Sequence, residues 1–385
     1  MNKRPHDARR MKLPTAWRER GAIAVLAAGI LMVLTGFAVL AVDVGRIFIV
    51  RTEMQNAADA AALSGANCLD RQSLSGSSSN CTATRGTTLN WARAIARATA
   101  QLSANQADNS SLSSTDGGHV VEAGYWNLQT NSASGGSMST TFTPLTQYDK
   151  PAVRVSVTKN TGMNGGPIRM LTATMFGGAN VPMNAVAVAV LSSPGNVPPA
   201  SVIPQVINKC MYDKFWNAST GTPILYTGTP ADPYGISVVG QPWEVRIGSA
   251  YHYDACQSGQ WTSFKLDVNS QSAVGDLIAN GNPSPLGIGD PIWIEPGTKT
   301  ASYNDLSAKY PTPPGADVSV LVVDATDLTN KGTAAIVAFA GFRITDVQGG
   351  TSKYVQGHFI PNFITPGASG IGPFFGTYTP PRLAQ

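Results

Sequence analysis

Four cysteines, Cys68, Cys81, Cys210 and Cys256, are the residues whose chemistry this sequence makes easiest to foresee. Four cysteines allow three disulfide pairings. The simplest joins Cys68 to Cys81 and Cys210 to Cys256, since each pair brackets a turn-rich loop. A zinc site is the weaker interpretation, because there is no C-x-x-C spacing and no histidine near the first pair. We therefore expect two disulfides, formed in an oxidising compartment.

Catalytic or metal-binding chemistry has little support. The patterns H-E-x-x-H, G-x-S-x-G and the P-loop are absent. The best polar cluster, 251–254, lies beside Cys256 and has no identifiable nucleophile. The run 320–326 is similar to the first strand of a von Willebrand A domain. That fold's metal site needs hydroxyl ligands after its aspartate, and Leu328 occupies one of these positions. A core strand explains the run better, and we predict no catalytic residue, no cofactor and no metal site.

The elements that must hold these residues begin with a membrane span. Gly21 to Val42 comprise 22 uncharged residues, which as a helix extend about 33 Å, enough to cross a bilayer core. Small and apolar residues then continue to Ala66 at helical spacings, without proline or a turn cluster. This stripe consists of Val44, Ile47, Phe48, Met54, Ala58, Ala61, Ala62 and Gly65. A single helix over 21–66 is about 68 Å long, with only half of it in lipid.

The charges beside the span predict its orientation. Residues 1–20 contain seven Lys or Arg and two acidic residues, so their net charge is +5. The positive-inside rule then leaves the N-terminus in the cytoplasm and the bulk of the chain in the periplasm of a bacterium. A cleaved signal peptide is the alternative, but its apolar core would be about 7–15 residues long and a small-residue cleavage site would follow. We expect a retained single-pass anchor in the inner membrane.

One face of the span carries small residues. Ala22, Gly29 and Gly36 recur every seven residues, and Asp43 continues that face at the outer rim. Small residues let helices approach closely in lipid, which predicts a packing face and a helix-mediated oligomer. The alternative is that alanine and glycine are simply common in membrane helices. Asp43 and Arg46 are spaced to pair with each other, which requires no function beyond solvation.

The remaining sequence predicts an α+β fold in two parts. Residues 67–191 form a small α+β unit, which begins with a polar loop over 67–87. Its helices are expected at 89–102 and 168–176, and its strands at 119–126, 152–158 and 183–191. The proline-rich stretch 192–204 is a linker by composition.

Residues 205–385 are predicted to form a β-rich domain, either a sandwich or a barrel. Apolar segments alternate there with Gly, Pro and Asn turns, and only 273–279 indicates a helix. The expected strands are 243–247, 291–294, 318–323, 334–344 and 354–363.

Two parts of the sequence resemble one protein family. The first part runs from Arg20-Gly21-Ala22 through the span to Val42-Asp43-Val44-Gly45-Arg46 and ends with the Gln-Asn-Ala-Ala-Asp-Ala-Ala-Ala-Leu-Ser-Gly-Ala helix at 55–66. The second comprises Tyr125-Trp126-Asn127, the strand 152–158, Met175-Phe176-Gly177 and 185–189. Together they are similar to TadG-like proteins of the Tad (Flp) pilus-assembly group over roughly the first half of the chain. The resemblance implies an inner-membrane protein whose periplasmic body serves assembly or anchoring of a thin adhesive pilus, and not an enzyme.

One position departs from the pattern of filament subunits. Type IV pilins and TadE-type proteins carry Glu five residues after the cleavage glycine, and Leu26 stands there if Gly21 is that glycine. A carboxylate in lipid is retained because it pairs with a charge, such as the N-terminal amine of a neighbour. Without it, an accessory protein is favoured over a shaft subunit, and we expect the chain to remain uncleaved.

The sequence therefore predicts a membrane-anchored scaffold for Tad (Flp) pilus assembly, which acts through contacts with pilus components. The alternative is a surface adhesin whose C-terminal β-domain binds glycan or a divalent metal. Aromatic residues that could bind a sugar or a partner protein, or simply fill the core, are Trp216, Trp243, Trp261 and Trp293. A periplasmic hydrolase has the least support, and no contact with nucleic acid is expected.

The topology is testable with single cysteine labels. A label near residue 10 should react only from the cytoplasmic side, and a label near residue 150 only from the periplasmic side, because the basic flank stays inside. Membrane-impermeant maleimide applied to spheroplasts and to inverted vesicles measures both. The reversed reactivity would contradict the orientation.

Overall fold

The computed structural model describes residues 16–70, 81, 88–112, 115–141, 143–144, 146–295 and 300–384. One helix, α1 (Ala16–Ala66), runs without interruption through the predicted span and stalk. Among the described residues it is the one helix long and apolar enough to cross a membrane. Its residues 23–42 lie outside the folded body, where Phe37 is 65% exposed. The expected segment 1–20, the side chain of Ala22 and most of the loop 67–87 lie outside the described residues.

The C-terminal half of α1 is buried by the body of the protein. Its buried face consists of Val50, Met54, Ala57, Ala58, Ala61, Ala62 and Ala66. Because most of these side chains are alanines, the helix lies close to both the sheet and helix α2 (Trp91–Ser103). The Asn90 side chain caps α2 by accepting a hydrogen bond from the Arg93 amide.

Two members of the predicted apolar stripe do not belong to this core. Val44 and Phe48 are 43% and 63% exposed. Val50 and Ala57 are buried instead. A helix turns about 100° per residue, and near residue 43 the body contacts only one side of α1. Positions 44 and 48 therefore point away from the body.

The first sheet covers the buried face of α1. Its five antiparallel strands lie in the order Ser132–Ala133, His119–Asn127, Asp149–Lys159, Met183–Val190 and Arg382–Leu383. Valines of the central strand and alanines of its neighbour form one buried cluster with α1: Val153, Val155, Val157, Ala185, Ala187 and Ala189. Helix α3 (Leu171–Phe176) lies between the last two predicted strands, so the strand–helix–strand unit is confirmed.

The last strand of this sheet comes from the far end of the chain. Arg382 and Leu383 pair with Val190 and Ala189. The segment 192–204, proline-rich by sequence, is largely buried, with Ser192 and Ser193 completely inaccessible. The two parts of the molecule are therefore joined both at this segment and at the C-terminal strand.

The second sheet closes into a barrel. Its ring consists, in order, of Gln205–Asn208, Gly259–Phe264, Pro291–Glu295, Gly332–Gln348 and Ala316–Val323. The ring closes through a parallel pairing of the last of these strands with the first. The long strand Gly332–Gln348 makes closure possible, because its beginning pairs with Pro291–Glu295 and its middle with Ala316–Val323. This geometry decides between the sandwich and the barrel that the sequence left open.

All five ring strands contribute to one buried cluster, which includes Val206, Phe264, Ile292, Leu321 and Phe339. Two further strands, Tyr354–Phe359 and Val245–Ile247, extend the sheet from the end of Gly332–Gln348. In the part of the chain that the structure describes, five short strand pairs lie outside the two sheets: Gln106–Ala107 with Ser110–Ser111, Asn196–Val197 with Leu286–Gly287, Trp216–Asn217 with Thr222–Pro223, His252–Tyr253 with Cys256–Gln257, and Phe363–Ile364 with Thr377–Tyr378. A 3-10 turn spans Ser134–Gly136.

Among the described residues, three helices accompany the barrel, although the sequence indicated one. Helix α5 (Gln271–Asn280) confirms the prediction at 273–279. Helices α4 (Lys209–Phe215) and α6 (Thr300–Lys309) were missed. Each is short and shows no sustained apolar period, since α6 buries only Ser302, Tyr303 and Leu306. Tertiary packing forms such helices, because isolated helices of this length are marginal in water.

Gly65 marks the closest approach of α1 to α2. A Cβ atom there would lie 2.8 Å from the Ala94 carbonyl oxygen and 2.9 Å from the Ala98 Cβ atom. Gly65→Leu should therefore lower the free energy of unfolding of the body by about 1–3 kcal/mol. Gly45→Leu is the matched control, because a Cβ atom at Gly45 meets nothing within 4 Å. Urea denaturation of the full chain in nanodiscs, followed by tryptophan fluorescence, measures both, and equal midpoints would contradict the packing.

Candidate functional site

Helix α1 is fastened to the body at the residue that follows its uncharged apolar part. Asp43 is completely buried, and one carboxylate oxygen accepts a hydrogen bond of 2.8 Å from the Leu171 amide. The other oxygen accepts bonds from the Thr172 amide and hydroxyl, at 2.8 and 2.7 Å. The first amides of a helix have no partner within that helix and favour a negative charge. Asp43 therefore caps α3 from another element.

A second contact lies one turn farther along α1. Arg46 Nη2 lies 2.8 Å from Asp108 Oδ1, and its Nη1 donates to the Arg169 carbonyl at 3.2 Å. The Asp108 amide donates in turn to Glu53 at 2.8 Å. Asp108 and Asn109 have positive φ angles of 53° and 56° and form a tight turn. The carboxylate and the backbone amide of Asp108 both hold this turn against α1. Arg46 thus pairs with Asp108, and the predicted pairing with Asp43 was wrong.

The third contact is between α1 and the edge of the first sheet. The Gln55 amide donates to the Val186 carbonyl oxygen at 3.1 Å and to Asp59 at 2.8 Å. Polar side chains over three turns of α1 therefore hold one face of the body. Since α1 is a single continuous helix, these contacts fix where the body lies along the axis of α1, directly after its apolar part.

The small residues of the span point away from the body. Cβ atoms placed at Gly29 and Gly36 meet nothing within 4 Å. Their contact with a neighbouring membrane helix remains a prediction. Asp43, which continues the same face in the sequence, contacts α3 of its own chain.

Both disulfides have the predicted pairing. Cys68 joins Cys81 with Cα atoms 5.2 Å apart, and Cys210 joins Cys256 with Cα atoms 5.9 Å apart. Both separations fall within the usual range for disulfides. The second bond fastens α4 to the hairpin that contains Tyr253 and Cys256, so the polar cluster at 251–254 closes a loop.

Most of the other residues considered for binding or metal coordination lie in the core of the protein. Trp216, Trp243 and Trp261 are buried in the core, whereas Trp293 is half-buried with the Lys331 ammonium 5.1 Å from its ring centre. Leu328 is buried in the loop that follows the core strand Ala316–Val323, which agrees with a structural role for the 320–326 run. Among the described residues, no group of three or more His, Cys, Asp and Glu is arranged to hold a metal ion.

A cleft of about 600 Å³ opens between the first sheet and the second part of the molecule. Aromatic rings form its walls, with Trp91 against Tyr125 at a centroid distance of 5.4 Å and Phe374 stacked on Tyr378 at 4.7 Å. Hydroxyl and amide groups complete the lining: Thr88, Thr143, Thr146, Gln147, Ser219, Thr220 and Asn362. Asp149, Lys150 and Ser193 also line the cleft. Aromatic walls with a few polar groups are typical of binding sites.

One wall of the cleft contains a buried lysine that no sequence pattern had indicated. Lys150 is 2% exposed, and its Nζ donates to Ser193 Oγ at 2.8 Å and to the Gly372 carbonyl at 2.9 Å. These bonds join the central strand of the first sheet to the connecting segment and to the returning C-terminal segment. Burial, with the positive charge of Arg382, lowers the pKa of Lys150 to about 7, although Asp149 opposes the shift.

The described residues thus form an α+β body to which one long helix is clamped at the end of its apolar part. Two family models match the sequence that forms this arrangement. The TadE/G-like Flp pilus-assembly family matches residues 21–67, and the Tad-like Flp pilus-assembly family matches residues 72–189. Residues 21–189 therefore belong to the TadG-like Flp pilus-assembly proteins, as the sequence motifs predicted. No curated protein and no solved structure matches the chain.

The cap on α3 predicts that substitution of Asp43 destabilises α3 locally. Asp43→Ala removes the acceptor of the Leu171 and Thr172 amides, so amide hydrogens in 171–176 should exchange about five- to tenfold faster, as after loss of a helix cap. Hydrogen exchange with mass spectrometry on the full chain in nanodiscs measures this. Asp59→Ala is the control, since Asp59 bonds to Gln55 and lies more than four helical turns beyond Asp43 on α1. Unchanged exchange in 171–176 would contradict the cap.

The buried lysine predicts a pH dependence of stability. An unfolded lysine keeps the ordinary pKa of 10.5, so above pH 7 the unfolded chain binds more protons than the folded one. The free energy of unfolding should then rise by about 1.5 kcal/mol between pH 7 and 8.5 relative to Lys150→Met, which lacks the titrating group. Urea midpoints at several pH values measure the difference. Lys209→Met removes a surface charge and should follow the wild-type profile, whereas parallel profiles for wild type and Lys150→Met would refute the shift.

Proposed function

We propose that this protein is an inner-membrane-anchored scaffold for Tad (Flp) pilus assembly, which presents its body in the periplasm for contact with pilus components. Family membership supports a role in Tad pilus assembly. The observation that carries the finer proposal is the continuity of α1. Its exposed apolar part is long enough for a bilayer, and its other part is the centre of the body's core.

The clamp supports a scaffolding mechanism. Asp43, Arg46 and Gln55 attach the body directly at the end of the apolar part, so no flexible tether separates the two. A body held in this way keeps a fixed height and orientation, which favours docking because little freedom is lost on binding. A soluble enzyme would gain nothing from such a clamp.

We assign the partner contact to the cleft between the two parts of the molecule. Exposed faces of Trp91, Tyr125 and Phe374 supply apolar area, and the surrounding hydroxyl and amide groups supply hydrogen bonds. Aromatic residues that are rigid and partly exposed are typical of protein-binding surfaces. Lys150 keeps the cleft in shape by joining its walls.

The same aromatic walls would also serve the alternative function, an adhesin that binds glycan. The two functions predict different phenotypes when the gene is deleted. Deletion of the gene should abolish assembled pili if the protein is a scaffold. Intact pili with lost adhesion would instead support the adhesin.

Crosslinking from the cleft tests the partner contact. With p-benzoylphenylalanine at Ser219, on the exposed rim of the cleft, ultraviolet light should yield an adduct with another pilus-assembly component in living cells. The same probe at Val239, which is 66% exposed and outside the cleft, is the control. Adducts identified by mass spectrometry only at Val239, or at neither position, would contradict the assignment.

A further inference from the structure

Helix α3 carries exposed apolar side chains with no protein partner over them. Leu171 is 44% and Met175 57% exposed. The sequence from Met170 to Met183 contains no charged residue. Scattered apolar side chains on a surface need no explanation. Leu171 and Met175 differ from such scattered residues because α3 lies beside the end of the apolar part of α1.

The hydrogen bonds to Asp43 fix the height of α3. Asp43 directly follows the uncharged span, so its Cα atom lies about 1.5 Å farther along the axis than that of Val42. Side chains of a helix tilt toward its N-terminus, which places the carboxylate of Asp43 level with the end of the span. The amides of Leu171 and Thr172 lie against this carboxylate. Helix α3 therefore begins at the level where the apolar part of α1 ends.

The opposite side of α1 is apolar at the same level. Val44, Phe48 and Ile49 are 43%, 63% and 61% exposed and point away from the body. Val44 lies about 3 Å and Phe48 about 9 Å beyond Val42, and the headgroup layer on each side of a bilayer is about 5–8 Å thick. Apolar surface thus surrounds α1 on both sides over the height of that layer. The exposed Arg169 next to α3 is placed to meet lipid phosphates.

We propose that α3 is a membrane foot, with Leu171 and Met175 inserted into the outer face of the same bilayer that α1 crosses. A second membrane contact beside the span limits tilting of the body relative to the membrane plane and so sets its orientation. The inference rests on the proposed membrane anchoring, and it assigns to the body a lipid contact beyond the span itself.

Fluorescence quenching in vesicles tests the foot. All described native cysteines are in disulfides, so a cysteine introduced at Met175 can be labelled selectively with NBD. The full chain is reconstituted into phosphatidylcholine–phosphatidylglycerol vesicles with doxyl-labelled lipids and without any partner protein. The label at 175 should lose about half of its emission to shallow doxyl groups, as expected for a helix at the headgroup boundary. A label introduced at Leu171 gives a second, independent reading.

Two control positions separate the possible failures. A label at Phe37, within the span, should be quenched by deep doxyl groups, and a label at Val239 should not be quenched. Unquenched labels at 171 and 175 together with a quenched label at 37 would overturn the foot and leave the anchor intact. An unquenched label at 37 would overturn the anchoring on which the foot depends.

Discussion

The structure depends on one helix, α1, whose first part lies outside the body and whose second part lies inside the first core. Residues 23–42 of α1 are exposed and apolar, whereas its residues from Val50 onward form the centre of the first core. Nothing interrupts the helix between them. A helix is stiff along its axis. The distance of the body from the apolar part of α1 is therefore determined by the residue at which the polar contacts of α1 begin. That point is Asp43.

Small side chains make the packing around this helix possible. Alanines of α1 face alanines and valines of the first sheet, and Gly65 allows the carbonyl of Ala94 to come within van der Waals contact of α1. Close approach maximises dispersion contacts although each side chain is small. A larger residue at these positions would separate the helix from the sheet and move the polar groups of the clamp out of reach.

The two parts of the body are joined more firmly than a linker would require. The C-terminal strand completes the first sheet, and Lys150 donates hydrogen bonds to both the connecting segment and the returning segment. A buried ammonium is unfavourable unless it is well bonded, so these contacts require one particular arrangement of the two parts. The cleft that results has a defined shape, which is the property a binding site needs.

The sequence by itself determined the features that depend on local composition and on periodicity. An uncharged run of 22 residues, an alanine stripe and three alternating strands predicted the long helix and the first unit, because helices and strands impose periods of 3.6 and 2 on their buried positions. The disulfide pairing followed from loop content, and the family from fixed polar positions around the span.

Only the tertiary structure decided the features that depend on residues far apart in sequence. The partner of Asp43 lies 128 residues away, and that of Lys150 lies 222 residues away. No local pattern records such contacts. Barrel closure likewise depended on one long strand with different neighbours along its length. Val44 and Phe48 have the spacing of buried residues, but burial depends on where the body ends, and that boundary is set by the clamp at Asp43.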